Sequence, residues 1–205
     1  YDELLKTFAS PIIMLFLGGF FLAIAATKYR LDRNLARVLL RPFGNDPRFV
    51  MLGLMMITAV FSMFMSNTAT TALMLAILAP VMKLFKPDDP ARFAFILSIP
   101  LAANIGGVGT PIGTPPNAVA MKYLVGENAI SFSEWMMFGI PLALMLLVIT
   151  WLLLIILNPP KDKHMDLVIE GSFMSSWKAW VVYLIFASTI SVSYTHLRAH
   201  ETQRY

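Results

Sequence analysis

Long neutral apolar stretches alternate with short charged ones along this chain, and two of the apolar stretches are broken in the middle by small polar residues. Positions 11–27 are apolar, with Leu4-Leu5 as a possible extension, and predict a spanning helix within a scaffold segment at 1–27. Gly18-Gly19 suit close helix contact there. Over 28–48, Leu31, Leu35, Val38 and Leu39 share one helical face while Arg30, Arg33, Arg37 and Arg41 share another. That pattern predicts an amphipathic helix at the cytoplasmic membrane surface. The first broken stretch, 49–86, carries Ser66-Asn67-Thr68-Ala69-Thr70-Thr71. The second, 93–124, carries Gly106-Gly107-Val108-Gly109-Thr110-Pro111-Ile112-Gly113-Thr114-Pro115-Pro116-Asn117. Residues 135–157 predict an unbroken span with Trp135 as an interface anchor and Asn158-Pro159-Pro160 as its stop. Residues 177–192 read as the start of a further span, and 193–205, without an apolar stripe, as a non-native tail. A chain that opens on Tyr1 reads as a fragment.

The charges decide the topology. Lys28, Arg30, Arg33, Arg37, Arg41 and Arg48 stand against only Asp32 and Asp46, and Lys83, Lys86 and Arg92 form a second basic cluster. Short basic loops lie on the cytoplasmic side. A single crossing by 49–86 would put the second cluster outside. Two crossings would leave arms of about 17 residues, roughly 25 Å at 1.5 Å per residue, against a hydrocarbon core of about 30 Å. The economical solution is a re-entrant hairpin tipped by Ser-Asn-Thr; two short spanning helices with an external turn are the alternative. The second stretch then crosses as a discontinuous helix, with a longer arm to Ile105 and a shorter one near Asn117. Pro115-Pro116 suit its restart, with Asn117 or Thr114 as a cap. Lys161, Lys163 and His164 restore positive charge inside, and Asp88 and Asp89, in a Pro-flanked loop, are expected to be solvated.

Composition narrows the class. Hydrophobic residues make up 58% of the chain and charged ones 14%, with a mean hydropathy of +0.69, as in an integral membrane protein. Without cysteine there is no disulfide or thiolate metal site, and His164, His196 and His200 are too scattered for a metal cluster. No nucleophile–base pair appears, so the chain does not read as an enzyme, and neither an organic cofactor nor a nucleic-acid partner is expected.

Chemistry concentrates at the two breaks. No Asp, Glu, Lys or Arg lies between positions 50 and 82 or between 93 and 121. Non-helical backbone at membrane depth is tolerated where it is buried in protein or lines a watery cavity. A break there frees carbonyls at the end of one arm and N–H groups at the start of the next. Carbonyls with Ser and Asn oxygens suit a small hard cation such as Na⁺; N–H groups at a helix start suit a carboxylate or sulfate. A dianion in such a site needs compensation, and bound cations supply it where Arg and Lys are absent. Small residues in membrane helices also serve as plain packing surfaces.

The strings Ser62-Met63-Phe64-Met65-Ser66-Asn67-Thr68-Ala69-Thr70-Thr71 and Gly106 through Asn117 resemble the divalent anion/sodium symporter family, which includes bacterial Na⁺/dicarboxylate symporters. The likeness extends from about Phe16 to about Val192 and takes in Phe132-Ser133-Glu134-Trp135. It implies an all-α integral membrane fold of two inverted repeats, each with a hairpin tipped by Ser-Asn-Thr and a discontinuous helix. With a single Ser-Asn-Thr, this chain is one half of such a transporter and holds about half of its binding site. By resemblance, Ser62, Ser66, Asn67 and Gly113 form a sodium site. Ser66, Asn67 and Thr68 touch a substrate carboxylate, and Thr114 and Pro115 line the same pocket. The resemblance also implies a homodimer, an elevator-like movement, a bacterial inner-membrane location, and succinate, malate, fumarate, citrate or sulfate as cargo. An anion or cation channel, and a non-transporting sensor or anchor module, are the rival readings.

Overall fold

The computed structural model describes residues 17, 18, 21, 24, 25, 28, 29, 43–124, 129–162, 164, 176–185 and 188. Positions 17, 18, 21, 24, 25 and 28 are helical; the rest of the scaffold span, residues 30–42 of the amphipathic segment 28–48 and the tail 193–205 lie outside the described residues. Five helices carry the fold: α1 Pro47–Ser62, α2 Asn67–Met82, α3 Ala91–Gly107, α4 Pro115–Tyr123 and α5 Phe132–Leu157. Residues 177–185 are also helical, and no strand occurs among the described residues.

Local chemistry explains most of the boundaries. Asp46 accepts a hydrogen bond from the Arg48 N–H at 2.9 Å, and Pro47 occupies the first turn, where its missing N–H costs nothing. Ser66 Oγ accepts from the Ala69 N–H at 3.3 Å and opens α2. Ser131 and Glu134 form a reciprocal capping box that starts α5 three residues before the expected Trp135. The stop at Asn158-Pro159-Pro160 falls where the sequence puts it. Both arms of the first broken stretch are 16 residues long, close to expectation.

Helix α3 is the central element, packed against α1, α2 and α5, and α1 also packs on α2 and α5. Its buried face includes Ala94, Phe95, Ser98, Ile99, Ala102, Ala103 and Gly106, small enough at its far end for a close approach of α1. A Cβ on Gly106 would land on the main chain of Ala59 in α1. Around it, Val50, Met51, Leu54, Met55 and Phe61 of α1 and Met74 and Leu78 of α2 form one apolar core.

Contacts at the two ends fix the chain directions. At one end, Trp151 of α5 donates its indole N–H to the Arg48 carbonyl at 2.8 Å. Phe85 packs at a tilt against Phe95 with centroids 4.8 Å apart, and Lys161 and Asp162 meet the α2–α3 link. At the other end, α1 hands over to α2 and α3 reaches Trp135 of α5. Helices α1 and α2 therefore form a helical hairpin, and α3 and α5 run up and down beside it. Arg48, Lys86 and Lys161 all lie toward the first end.

That first end is tied by charge. Lys161 Nζ lies 2.5 Å from Asp88 Oδ2, and Lys86 Nζ lies 3.3 Å from Asp162 Oδ2. Asp88 is solvated as expected, but Asp89 is not: it is only 4% exposed. Its two carboxylate oxygens accept from the Ala91 N–H at 2.9 Å and the Lys161 N–H at 3.3 Å. Asp89 thus caps the start of α3 and pins the chain that follows α5, a role that loop composition alone could not reveal.

The hydrogen bond from Lys161 holds the Asp88 carboxyl below its ordinary value of 3.8, and the same bond raises the Lys161 ammonium above its ordinary 10.5. A depressed carboxylate contributes stability above its unfolded value and loses it as pH falls through the folded one. A raised amine contributes below its unfolded value and loses it as pH rises through the folded one. Thermal melts of wild type and Lys161→Met should therefore differ by a small constant amount across neutral pH. The gap should close as the pH falls below 3.8 and through the lowered folded value of Asp88. A gap that persists in acid would remove Asp88 as the partner.

Candidate functional site

Where the two breaks meet, four helix ends converge: the C-termini of α1 and α3 and the N-termini of α2 and α4. Asn67, the first residue of α2, is the hub. Ser62 Oγ donates to Asn67 Oδ1 at 2.8 Å, and Asn67 Nδ2 donates to Asn104 Oδ1 on α3 at 3.1 Å. A Cβ on Gly107 would lie 2.7 Å from Asn67 Oδ1 and 3.2 Å from the Gly113 carbonyl oxygen. The bare Gly107 thus leaves a space on which the Asn67 amide and the Gly113 carbonyl both border. Gly113 in turn has no room for a side chain, because a Cβ there would overlap the Gly107 carbonyl.

The second break is stitched from within. Asn117 Nδ2 donates to the carbonyls of Gly107 and Thr110, each at 2.9 Å. Thr110 Oγ1 donates to the Met63 carbonyl at 2.5 Å and so fastens the second break to the tip of the first. Trp135 is not an interface anchor: it is buried, and its indole N–H donates to the Val108 carbonyl at 3.0 Å. Gly109 N–H bonds the Gly106 carbonyl at 2.9 Å. The carbonyls of Met63, Gly106, Gly107, Val108 and Thr110 are therefore engaged inside the protein, so fewer main-chain oxygens face the site than an unwound loop suggests.

Of the expected sodium ligands, Ser62, Asn67 and Gly113 come together at this point, and Ser66 adjoins them as the residue before Asn67, with its hydroxyl engaged at the start of α2. The expected substrate contacts are looser. Thr68 is exposed on the first turn of α2, Thr114 is half-buried at the start of α4, and Pro115 is exposed in its first turn. Among the described residues no hydrogen bond joins Thr68 to Thr114. Neither Thr114 nor Asn117 caps α4 with its side chain; Asn117 points back into the break instead.

Sequence reasoning missed Asn104 and Thr110 as parts of the site. Asn104 had a readable signal, being a lone amide in an otherwise apolar arm just before Gly106-Gly107. No group of three or more His, Cys, Asp or Glu that could hold a metal occurs among the described residues.

A gathering of helix ends inside an apolar bundle, with neutral side chains at its centre, is the architecture of a membrane transporter. The chain belongs to the citrate transporter family, whose model matches residues 1–201. It is 36% identical over 164 residues to the sodium-dependent dicarboxylate transporter SdcS of Staphylococcus saprophyticus, covering 74% of this chain and 31% of the relative. It is 35% identical over 170 residues to the sodium-dependent high-affinity dicarboxylate transporter 3 of Caenorhabditis elegans, covering 73% of this chain and 30% of the relative. A transporter of unassigned specificity from Haemophilus influenzae is 33% identical over 192 residues, 91% of this chain and 41% of that protein. The chain thus spans between 30% and 41% of the length of these relatives, all of which bear transporter rather than enzyme names.

Proposed function

We propose that this chain supplies one substrate-binding half of a sodium-coupled symporter for divalent anions, with C4-dicarboxylates such as succinate, malate or fumarate as the preferred cargo. The observation that carries the reading is the convergence of Ser62, Asn67 and the Gly113 carbonyl at one uncharged junction of helix ends. Neutral oxygens there suit Na⁺, and the N-termini of α2 and α4 favour a carboxylate beside it. Ser66 completes the cation site, while Ser66, Asn67, Thr68, Thr114 and Pro115 border the anion. The names of the two sodium-dependent dicarboxylate relatives support both cargo and coupling ion.

The hairpin of α1 and α2 is re-entrant in this reading. Each arm of 16 residues is about 24 Å long, short of a hydrocarbon core of about 30 Å. Helix α5, by contrast, is long and apolar enough to cross. With α5 centred in the bilayer, Gly139, whose added Cβ would meet the Val108 and Gly109 carbonyls, lies roughly 8 Å from the midplane at 1.5 Å per residue. The breaks then sit inside the hydrocarbon layer. The complete transporter joins this half to an inverted second one, works as a homodimer, and in a bacterial host resides in the inner membrane.

Uptake of labelled succinate by vesicles containing the full-length protein tests the reading. Replacing Na⁺ by a bulky organic cation should abolish saturable uptake. Unchanged uptake would reject sodium coupling, and single-channel currents would replace the carrier by a pore.

A further inference from the structure

Buried hydroxyls in this bundle are nearly all occupied. Thr58 Oγ1 donates to the Leu54 carbonyl, Ser98 Oγ to the Phe95 carbonyl, Ser62 Oγ to Asn67, and Thr110 Oγ1 to the Met63 carbonyl. Thr70 breaks the pattern. It is 0% exposed, yet its Oγ1 has no hydrogen-bond partner among the described residues. The usual fallback for a helical threonine is the carbonyl four residues back, as Thr58 uses. For Thr70 that carbonyl belongs to Ser66, and it takes the Thr70 N–H alone. A buried hydroxyl left unpaired destabilises a fold, and valine fills the same volume without that penalty. The hydroxyl therefore needs a partner that the described residues do not supply.

Its position says which. Thr70 follows Ser66 by four residues and Asn67 by three, so the three share one face of the first turns of α2. Thr70 also opens the buried stripe Thr70, Met74, Leu78 and Val81. Against this end of α2 stand Asn104 and Gly107 of α3, the residues that meet Asn67. No ionised side chain occurs in α1 after Arg48, in α2, or in α3 after Arg92, so the partner is one that neutral oxygens can hold.

We propose that the Thr70 hydroxyl is a further oxygen ligand of the small monovalent cation bound at the Asn67 tip, and forms the inner wall of that site. This rests on the sodium-symporter reading above. In that role the hydroxyl oxygen faces the cation, which supplies the missing partner, and the pocket extends one helical turn below Asn67. Sodium thereby joins α2 to its own tip before any anion arrives.

Thermal melts of the purified full-length protein, titrated with NaCl against choline chloride, provide the test, alongside sodium-dependent succinate uptake. Thr70→Val should melt at or above wild type without Na⁺, yet need about tenfold more Na⁺ to reach half of its maximal stabilisation. Thr70→Ser, which keeps the oxygen, should retain the wild-type sodium midpoint. A purely structural threonine predicts a different pattern, a Val variant with an unshifted midpoint, and that result would overturn the proposal. If Thr70→Val fails to fold, Thr70→Ala answers the same question by the same midpoint. A wild-type protein that shows neither sodium stabilisation nor sodium-dependent uptake would instead overturn the symporter reading, and the Thr70 role with it.

Discussion

Gly106→Val is expected to prevent the bundle from packing. A Cβ at this position would lie only 2.3 Å from the Ala59 Cα, and main chain cannot rotate aside as a flexible side chain can. Helices α1 and α3 would have to separate along the most extensive contact in the core. Overpacking of this kind costs about 3 kcal/mol or more, a large share of the marginal stability of a folded domain. The purified full-length variant should aggregate or melt far below wild type. Gly18→Ala is the matched control, since a Cβ at Gly18 meets nothing within 4 Å. A Gly106→Val protein that melted within about 2 °C of wild type would show that α1 and α3 do not approach this closely.

Asn67→Ala is expected to weaken sodium dependence while leaving most of the fold. Three interactions end together: the acceptor for the buried Ser62 hydroxyl, the donor to Asn104, and the amide that borders Gly107 and the Gly113 carbonyl. Leaving Ser62 unpaired costs about 1–3 kcal/mol of stability, well short of unfolding a large bundle. Under the proposed sodium coupling, losing the Asn67 oxygen should raise the half-saturating Na⁺ concentration by about tenfold or more, equal to about 1.4 kcal/mol. Sodium titration of succinate uptake reads this directly. An unshifted half-saturation point would exclude Asn67 from the site.

Much of the architecture was legible because its causes are local. Asp46-Pro47, Ser131 with Glu134, and Asn158-Pro159-Pro160 start and stop helices through neighbouring atoms alone. The misreadings share another origin. Asp89 was expected in water because its neighbours are Asp88 and Pro90; it is buried because the chain after α5 returns to it. Trp135 was assigned to an interface because tryptophan favours one, whereas the Val108 carbonyl claims its N–H. Thr70 drew no attention as one threonine among several, and only burial without a partner among the described residues sets it apart.

Alternating neutral and basic stretches, two uncharged polar breaks and the helix lengths follow from the sequence alone, since solvent preference and capping act between residues close along the chain. Which polar groups meet at the breaks was decided by tertiary structure. Helices such as α2 and α5 are apolar on nearly every side, so periodicity cannot say which stripe is buried. The close fit of Gly106 on Ala59 sets α1 and α3 against each other, and the packing of α2 and α5 on α3 selects their buried stripes. This packing brings Asn67 to Asn104, Gly107 and Gly113, residues far away along the chain whose meeting no local rule encodes.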